Sequence, residues 1–245
     1  MLEAAIRAAG PRPADTAAQA PKKNYAEKLS NHVAVTLAAQ FREAGCTDCQ
    51  PNPPLGRERQ FAGGIGNKKV DVSYASAEDG LILGVSVKSI CSRDPRTGNF
   101  QKNLTNRRGD LLAEGTTLHQ RFPYAVLGGL FLLDERAAED STDRRFSTFQ
   151  TAHEYLSTFD RRNDRANAVE KFEALGIVLF RSDEPVHYIY YDVGEPRTAK
   201  PLSTFLERLL QRVAERNADR YRFVDGKLLR RRAGGSRHNR NRTNG

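Results

Sequence analysis

Cysteine is scarce in this sequence: Cys46, Cys49 and Cys91 are the only three in 245 residues. Three thiols cannot build a disulfide framework, so reduced cysteines in a cytoplasmic protein are expected. Cys46 and Cys49 have the spacing of half a zinc knuckle, but a structural zinc site takes four ligands and no second pair follows. Long apolar runs are missing too. The longest, residues 124–133, is about half of the ~20 residues a membrane helix needs. The opening MLEAAIRAAGPRPAD lacks the basic start and apolar centre of a secretory signal. A soluble chain with no membrane partner is the expectation. No internal repeat is visible, so a single core is expected rather than an array.

What is abundant is positive charge. Lys and Arg total 39 against 30 Asp and Glu, a net charge of +9, and arginine is suited to bidentate phosphate contacts. Such an excess favours a polyanionic partner without naming one. The chain is long enough to bury one substantial core. The expected organisation is a flexible arm over 1–23, a single domain over 24–228 and a basic, disordered tail over 229–245, in which Arg230, Arg231 and Arg232 could bind phosphate.

Asn24 followed by Glu27 has the form of a capping box, and Tyr25, Leu29, Val33, Leu37 and Phe41 recur every four residues. A helix is therefore predicted from 24 to near Gly45. A turn-rich loop over 46–56 and a short strand over 57–62 follow. Residues 111–121 read as a helix with Asp110 at its start, and 124–133 as a central strand buried on both faces. Further helices are expected over 146–159 and 165–175, the second stopped by Gly176. Strands over 177–180 and 186–191, an amphipathic helix over 202–217 and a small hairpin over 221–229 around Asp225-Gly226 complete the pattern. It is that of an α/β domain, a mixed sheet flanked by helices.

The stretch that organises the rest is GGIGNKKVDVSYASAEDGLILGVSVK, residues 63–88. Its start resembles a phosphate-binding loop only superficially, since a strand follows where that motif requires Ser or Thr and a helix. Val70, Val72 and Tyr74 alternate with Asp71 and Ser73, the period of a half-buried strand. After a turn over 75–80, Leu81, Leu83, Val85 and Val87 alternate with Ile82, Gly84, Ser86 and Lys88. Paired as an antiparallel hairpin, the strands bring Asp71 and Lys88 to one face. A charge inside an apolar strand is costly unless it is paired or acts on something. Beyond Lys88, residues 89–110 are a long polar loop with Arg93, Arg96, Phe100, Lys102, Arg107 and Arg108, of a length that is usually functional or disordered.

The acid, the strand and the lysine resemble the core of the PD-(D/E)XK nuclease superfamily, which includes many type II restriction endonucleases. The resemblance covers residues 58–134. Asp71 matches the motif's first acid and Lys88 its lysine. Val70 stands where proline is usual, and Ser86 stands where a second acid is usual. Restriction enzymes with the same Ser-Val-Lys variant take the missing carboxylate from the following helix, which implies Glu114 here, with Asp110 and Glu27 as the other acids within reach. His119 is expected to pack or to face DNA.

That resemblance implies a restriction-endonuclease-like core and magnesium, for which manganese could substitute, held by Asp71, Glu114 and the backbone carbonyl of Val87. Phosphodiester hydrolysis needs an attacking hydroxide and neutralisation of added negative charge, both of which a divalent cation supplies. Lys88 would orient or help deprotonate the water, and Ser86 could hold a second one. Lys102, Asn103, Arg107 and Arg108 are the candidate DNA contacts. The implied function is a magnesium-dependent type II restriction-like endonuclease acting on double-stranded DNA as a homodimer. The alternatives are a noncatalytic DNA-binding protein on a decayed nuclease core, for which Ser86 speaks, and a structure-specific, repair or RNA-directed nuclease.

Overall fold

Val126–Asp134 is buried along its whole length, and the sheet is built around it. The computed structural model describes residues 2–164 and 168–231. In chain order its elements are α1 (Leu2–Ala9), α2 (Gln19–Glu43), β1 (Arg59–Ala62), β2 (Asn67–Val70), β3 (Val72–Ser76), β4 (Gly80–Ile90), α3 (Leu104–Arg121), β5 (Val126–Asp134), α4 (Thr148–Ser157), β6 (Ala174–Arg181), β7 (His187–Asp192), β8 (Ala199–Lys200), α5 (Ser203–Arg216), β9 (Tyr221–Val224) and β10 (Lys227–Arg230). Six strands form the main sheet in the order β3-β4-β5-β6-β7-β8. The β4-β5 and β5-β6 pairs are parallel and the others antiparallel.

Strands buried on both faces need cover on both. Leu29, Val33 and Leu37 of α2 and Phe205 and Leu209 of α5 pack on Leu83, Val85 and Leu130 of one face, joined there by α1. Leu111 and Leu118 of α3 and Leu156 of α4 pack on Leu127, Phe131 and Ile177 of the other. The expected α/β class, a mixed sheet flanked by helices, is the observed one. Among the described residues no helix is long and apolar enough to cross a membrane.

Several boundaries differ from the sequence expectation. The segment 1–23 does not form a loose arm throughout: Leu2, Ala5, Ile6 and Ala9 occupy one face of α1 and are buried. Its Ala, Pro and Arg content hides this i, i+3, i+4 spacing. Because α2 begins at Gln19, Asn24 and Glu27 are interior helix positions and make no capping box. At the other end, residues 229–230 are not tail but part of β10, paired with β9 across Asp225 and Gly226, both at positive φ, as Asp-Gly hairpin turns require. Residues 232–245 of the expected tail lie outside the described residues, as do 165–167 of the expected helix 165–175. The remainder of that helix is absent. Residues 168–173 form turns and extended chain, and Ala174 already opens β6. Gly176, read as a helix stop, is a mid-strand residue where a Cβ would meet the Tyr190 ring at 2.4 Å. The strand β8 has no counterpart among the expected elements.

Candidate active site

The run that reads as one strand from Val70 to Tyr74 is two. Val70 closes the β1-β2 ladder opposite Arg59, Val72 opens the β3-β4 ladder opposite Val85, and Asp71 belongs to neither. Because β3 stops pairing there, the β3 side of β4 is open from Ser86 onward. Asp71 fills the first gap: its Oδ2 accepts the amide of Val87 at 2.7 Å. The strand break thus frees the carboxylate from the ladder and fixes it beside the stretch that carries Ser86 and Lys88.

Ser86 and Lys88 point to the face covered by α3, which delivers Glu114. The side chain is 6% exposed. Its Oε2 accepts from the Ser86 hydroxyl at 3.1 Å and from the Lys88 ammonium at 3.2 Å. Burial pushes the Glu114 carboxyl above the usual range; Lys88 opposes the shift, and the charge of Asp71 adds to it. Lys88 is therefore paired with the acid from the helix rather than with Asp71 across the hairpin.

A cleft of about 730 Å³ opens beside this cluster. Asp71, Val87 and Lys88 lie in its wall together with Lys22, Lys23, Arg93, Lys102, Asn103 and Arg107. Lys102 also bonds Asp94 at 2.6 Å and Arg107 bonds Asp110 at 3.3 Å. Arg108 does not join them. Residues 104–110, expected as loop, are helical, and consecutive helical residues point about 100° apart. Arg108 consequently stacks over Phe159 at 5.0 Å and Tyr155 at 5.7 Å. Of the other acids, Asp110 is exposed and turned to Arg107, while Glu27 lines the cleft 3.7 Å from Lys23. His119 is buried, with Nδ1 2.8 Å from the carbonyl of Val169.

Two groups of residues escaped the sequence reading. Lys22 and Lys23 come from the part of α2 read as loose arm. Glu58 precedes β1, and one step beyond the Arg59–Val70 pair sets it opposite Asp71. Burial raises the Glu58 carboxyl, as does the charge of Asp71, with Lys69 opposing. The Gly63–Gly66 turn could have suggested this match by fixing the register.

Among the described residues no three His, Cys, Asp or Glu side chains are gathered so as to hold a metal ion, and Cys46 and Cys49 are free, buried thiols. Asp71 and Glu114, with the Val87 carbonyl, supply a sparse set of hard oxygen donors. Such a set fits magnesium, which takes one or two carboxylates and keeps several waters. Comparison with family models, with curated proteins and with solved structures finds no match to this chain.

Proposed function

We propose that this chain is a magnesium-dependent endonuclease that hydrolyses phosphodiester bonds of double-stranded DNA, acting as a homodimer in the manner of type II restriction enzymes. The observation that carries the reading is Glu114, a buried acid on the helix after the lysine strand, bonded to both Ser86 and Lys88. An acid there is what the Ser-Val-Lys variant lacks within its strand. Asp71, Glu114 and the Val87 carbonyl would hold the cation. When bound, it supplies an acidified water and neutralises charge on the phosphate. Lys88 offsets the negative charge that develops at phosphorus and holds the attacking water. Ser86 orients Glu114 through its hydroxyl, in place of the water-binding role expected of it. Lys22, Lys23, Lys102 and Arg107 offer phosphate contacts along the cleft, and such contacts weaken with salt.

Incubation with phage DNA, with magnesium or with EDTA, tests the reading. Discrete fragments that require magnesium are the expected result, and a smear would remove sequence specificity. The Lys88–Glu114 pair at 3.2 Å is satisfied without any cation, which favours the noncatalytic binder as second reading. DNA binding without cutting in magnesium or manganese would select it.

Glu114 also gives a stability prediction. A carboxyl whose folded-state pKa is raised stabilises the fold below the unfolded value of about 4.3, and this contribution is lost as pH rises through the folded value. Ionised Glu114 therefore costs the native protein at neutral pH. Glu114→Gln keeps an oxygen for Ser86 and Lys88 and is expected to raise the melting temperature at pH 8, by a margin that closes as pH falls through the raised folded value to ~4.3. Magnesium should raise the melting temperature of the wild type and leave that of the variant unchanged. A variant that melts below wild type at pH 8 would show that the Lys88 pair outweighs the burial.

A further inference from the structure

β1 and β2 form a two-stranded ribbon of their own, outside the main sheet. Their register sorts the side chains onto two faces. The inner face is anchored: Val70 is buried, Phe61 packs edge-on against Phe122 with centroids 5.9 Å apart, and Arg59 bonds Asp48 at 2.6 Å. The tip is held as well, since the amide of Gly64 donates to the carbonyl of Thr117 at 2.8 Å. The outer face carries Gln60, Ala62, Asn67 and Lys69, all exposed, and Ile65 stands at the tip 69% exposed. The side chains of Gln60, Asn67 and Lys69 make no hydrogen bond among the described residues. The ribbon also leads straight into the candidate site, because Asp71 is the residue after β2.

A rigid face with two unused amides, one ammonium and one small apolar residue has a specific chemistry. A protein-binding face would centre on apolar and aromatic residues. A face that only neutralised phosphates would be lysine and arginine throughout. Amides instead match the donor and acceptor edge of adenine, an ammonium the acceptors of guanine, and an alanine methyl the methyl of thymine. The major groove, about 12 Å wide, admits a two-stranded ribbon whose strands lie about 4.8 Å apart.

We propose that the outer face of the β1-β2 ribbon enters the major groove of duplex DNA and reads base edges, with Gln60, Asn67 and Lys69 as the specificity-determining side chains. The proposal rests on the reading of the chain as a DNA endonuclease and adds to it where sequence is read. The strand β2 has four residues, a span of roughly 13 Å at ~3.3 Å per residue. At ~3.4 Å per base pair the bases read lie within about four pairs of the phosphate at Asp71.

The test uses the full chain in calcium or EDTA, so that binding is scored without cutting. Wild type, Gln60→Ala, Asn67→Ala and Lys69→Ala each select duplexes from a randomised pool, anisotropy gives affinity for the wild-type motif, and a melting curve verifies each fold. Wild type is expected to enrich a short motif. Each variant should lose preference at one position and bind that motif roughly 10- to 100-fold more weakly. Variants that keep the wild-type motif and affinity would overturn the ribbon proposal and leave the nuclease reading untouched, as would a wild type that binds duplexes without preference. Altered motifs in a protein that never cuts DNA in magnesium would uphold the ribbon and remove the nuclease. A wild type that binds no duplex would remove both.

Discussion

Asp71→Asn is expected to slow DNA cleavage by about a thousandfold or more, because the charge stabilisation a metal supplies at phosphorus amounts to several kcal/mol and each 1.36 kcal/mol is tenfold in rate. The substitution is chosen to separate chemistry from structure. An asparagine Oδ1 can still accept the Val87 amide that Asp71 now takes at 2.7 Å, so the break between β2 and β3 keeps its shape and the melting temperature stays near that of wild type. What disappears is the negative charge. Duplex affinity in calcium or EDTA should hold or improve, since an anion has been removed from a wall shared with Lys22, Lys102 and Arg107. A second consequence follows from Asp71 being one cause of the raised Glu114 carboxyl: in the variant Glu114 ionises at lower pH. Initial rates on phage DNA at saturating magnesium decide the matter. A variant cutting within about threefold of wild type would place the chemistry elsewhere in the chain.

The parts of this site that were legible in the sequence are those set by short-range periodicity. Alternation of period two marks the β3-β4 hairpin on either side of the 75–80 turn, and helical spacing marks the helix on which the resemblance placed Glu114. The alternation fails at Ile82, which has no partner in the β3-β4 register: Tyr74 faces Leu83 and Ala75 faces Leu81. A bulge of this kind is invisible to a pattern that assumes regular pleating. Composition misled where it disagreed with periodicity. Residues 104–110 are polar enough to read as loop, yet they extend α3, and that extension sends Arg107 to the cleft and Arg108 to α4. The first nine residues are too alanine-rich to signal burial by composition, although their apolar spacing is helical. Glu58 against Asp71 went unread for a different reason: it depends on the register that the Gly63–Gly66 turn gives a ribbon which the periodicity alone merges with the next strand.

Residue 173 shows the same limit and gives the largest stability effect to be expected. Read as part of a helix, Glu173 instead lies just before β6 with its side chain fully buried. It bonds Arg162 at 3.2 Å, Arg216, and the Leu127 amide at 2.5 Å, with His119 Nε2 3.5 Å away. One carboxylate thus ties the segment after α4 to β5, α5 and α3. Glu173→Ala would leave two guanidinium groups, 0% and 8% exposed, without the carboxylate they share. Losing one member of a buried ionic cluster costs about 3–5 kcal/mol, a large part of the roughly 5–15 kcal/mol that holds a domain together. Burial by itself pushes the Glu173 carboxyl up, but His119, Arg216 and the Leu127 amide together outweigh it and hold the group below its ordinary value. The native state then carries fewer protons on this residue than the unfolded chain. Its contribution is present above a pH of about 4.3 and is lost as pH falls through the depressed value. Urea unfolding at pH 7 should therefore show a large loss for Glu173→Ala and a smaller one for Glu173→Gln, and the Gln variant should lack the Glu173 share of the wild type's acid destabilisation. A loss under 1 kcal/mol for both would mean that the arginines find other partners. Because His119 sits on α3 with Glu114, a fall in cleavage alongside the loss of stability would mean that this cluster also positions the helix that carries Glu114.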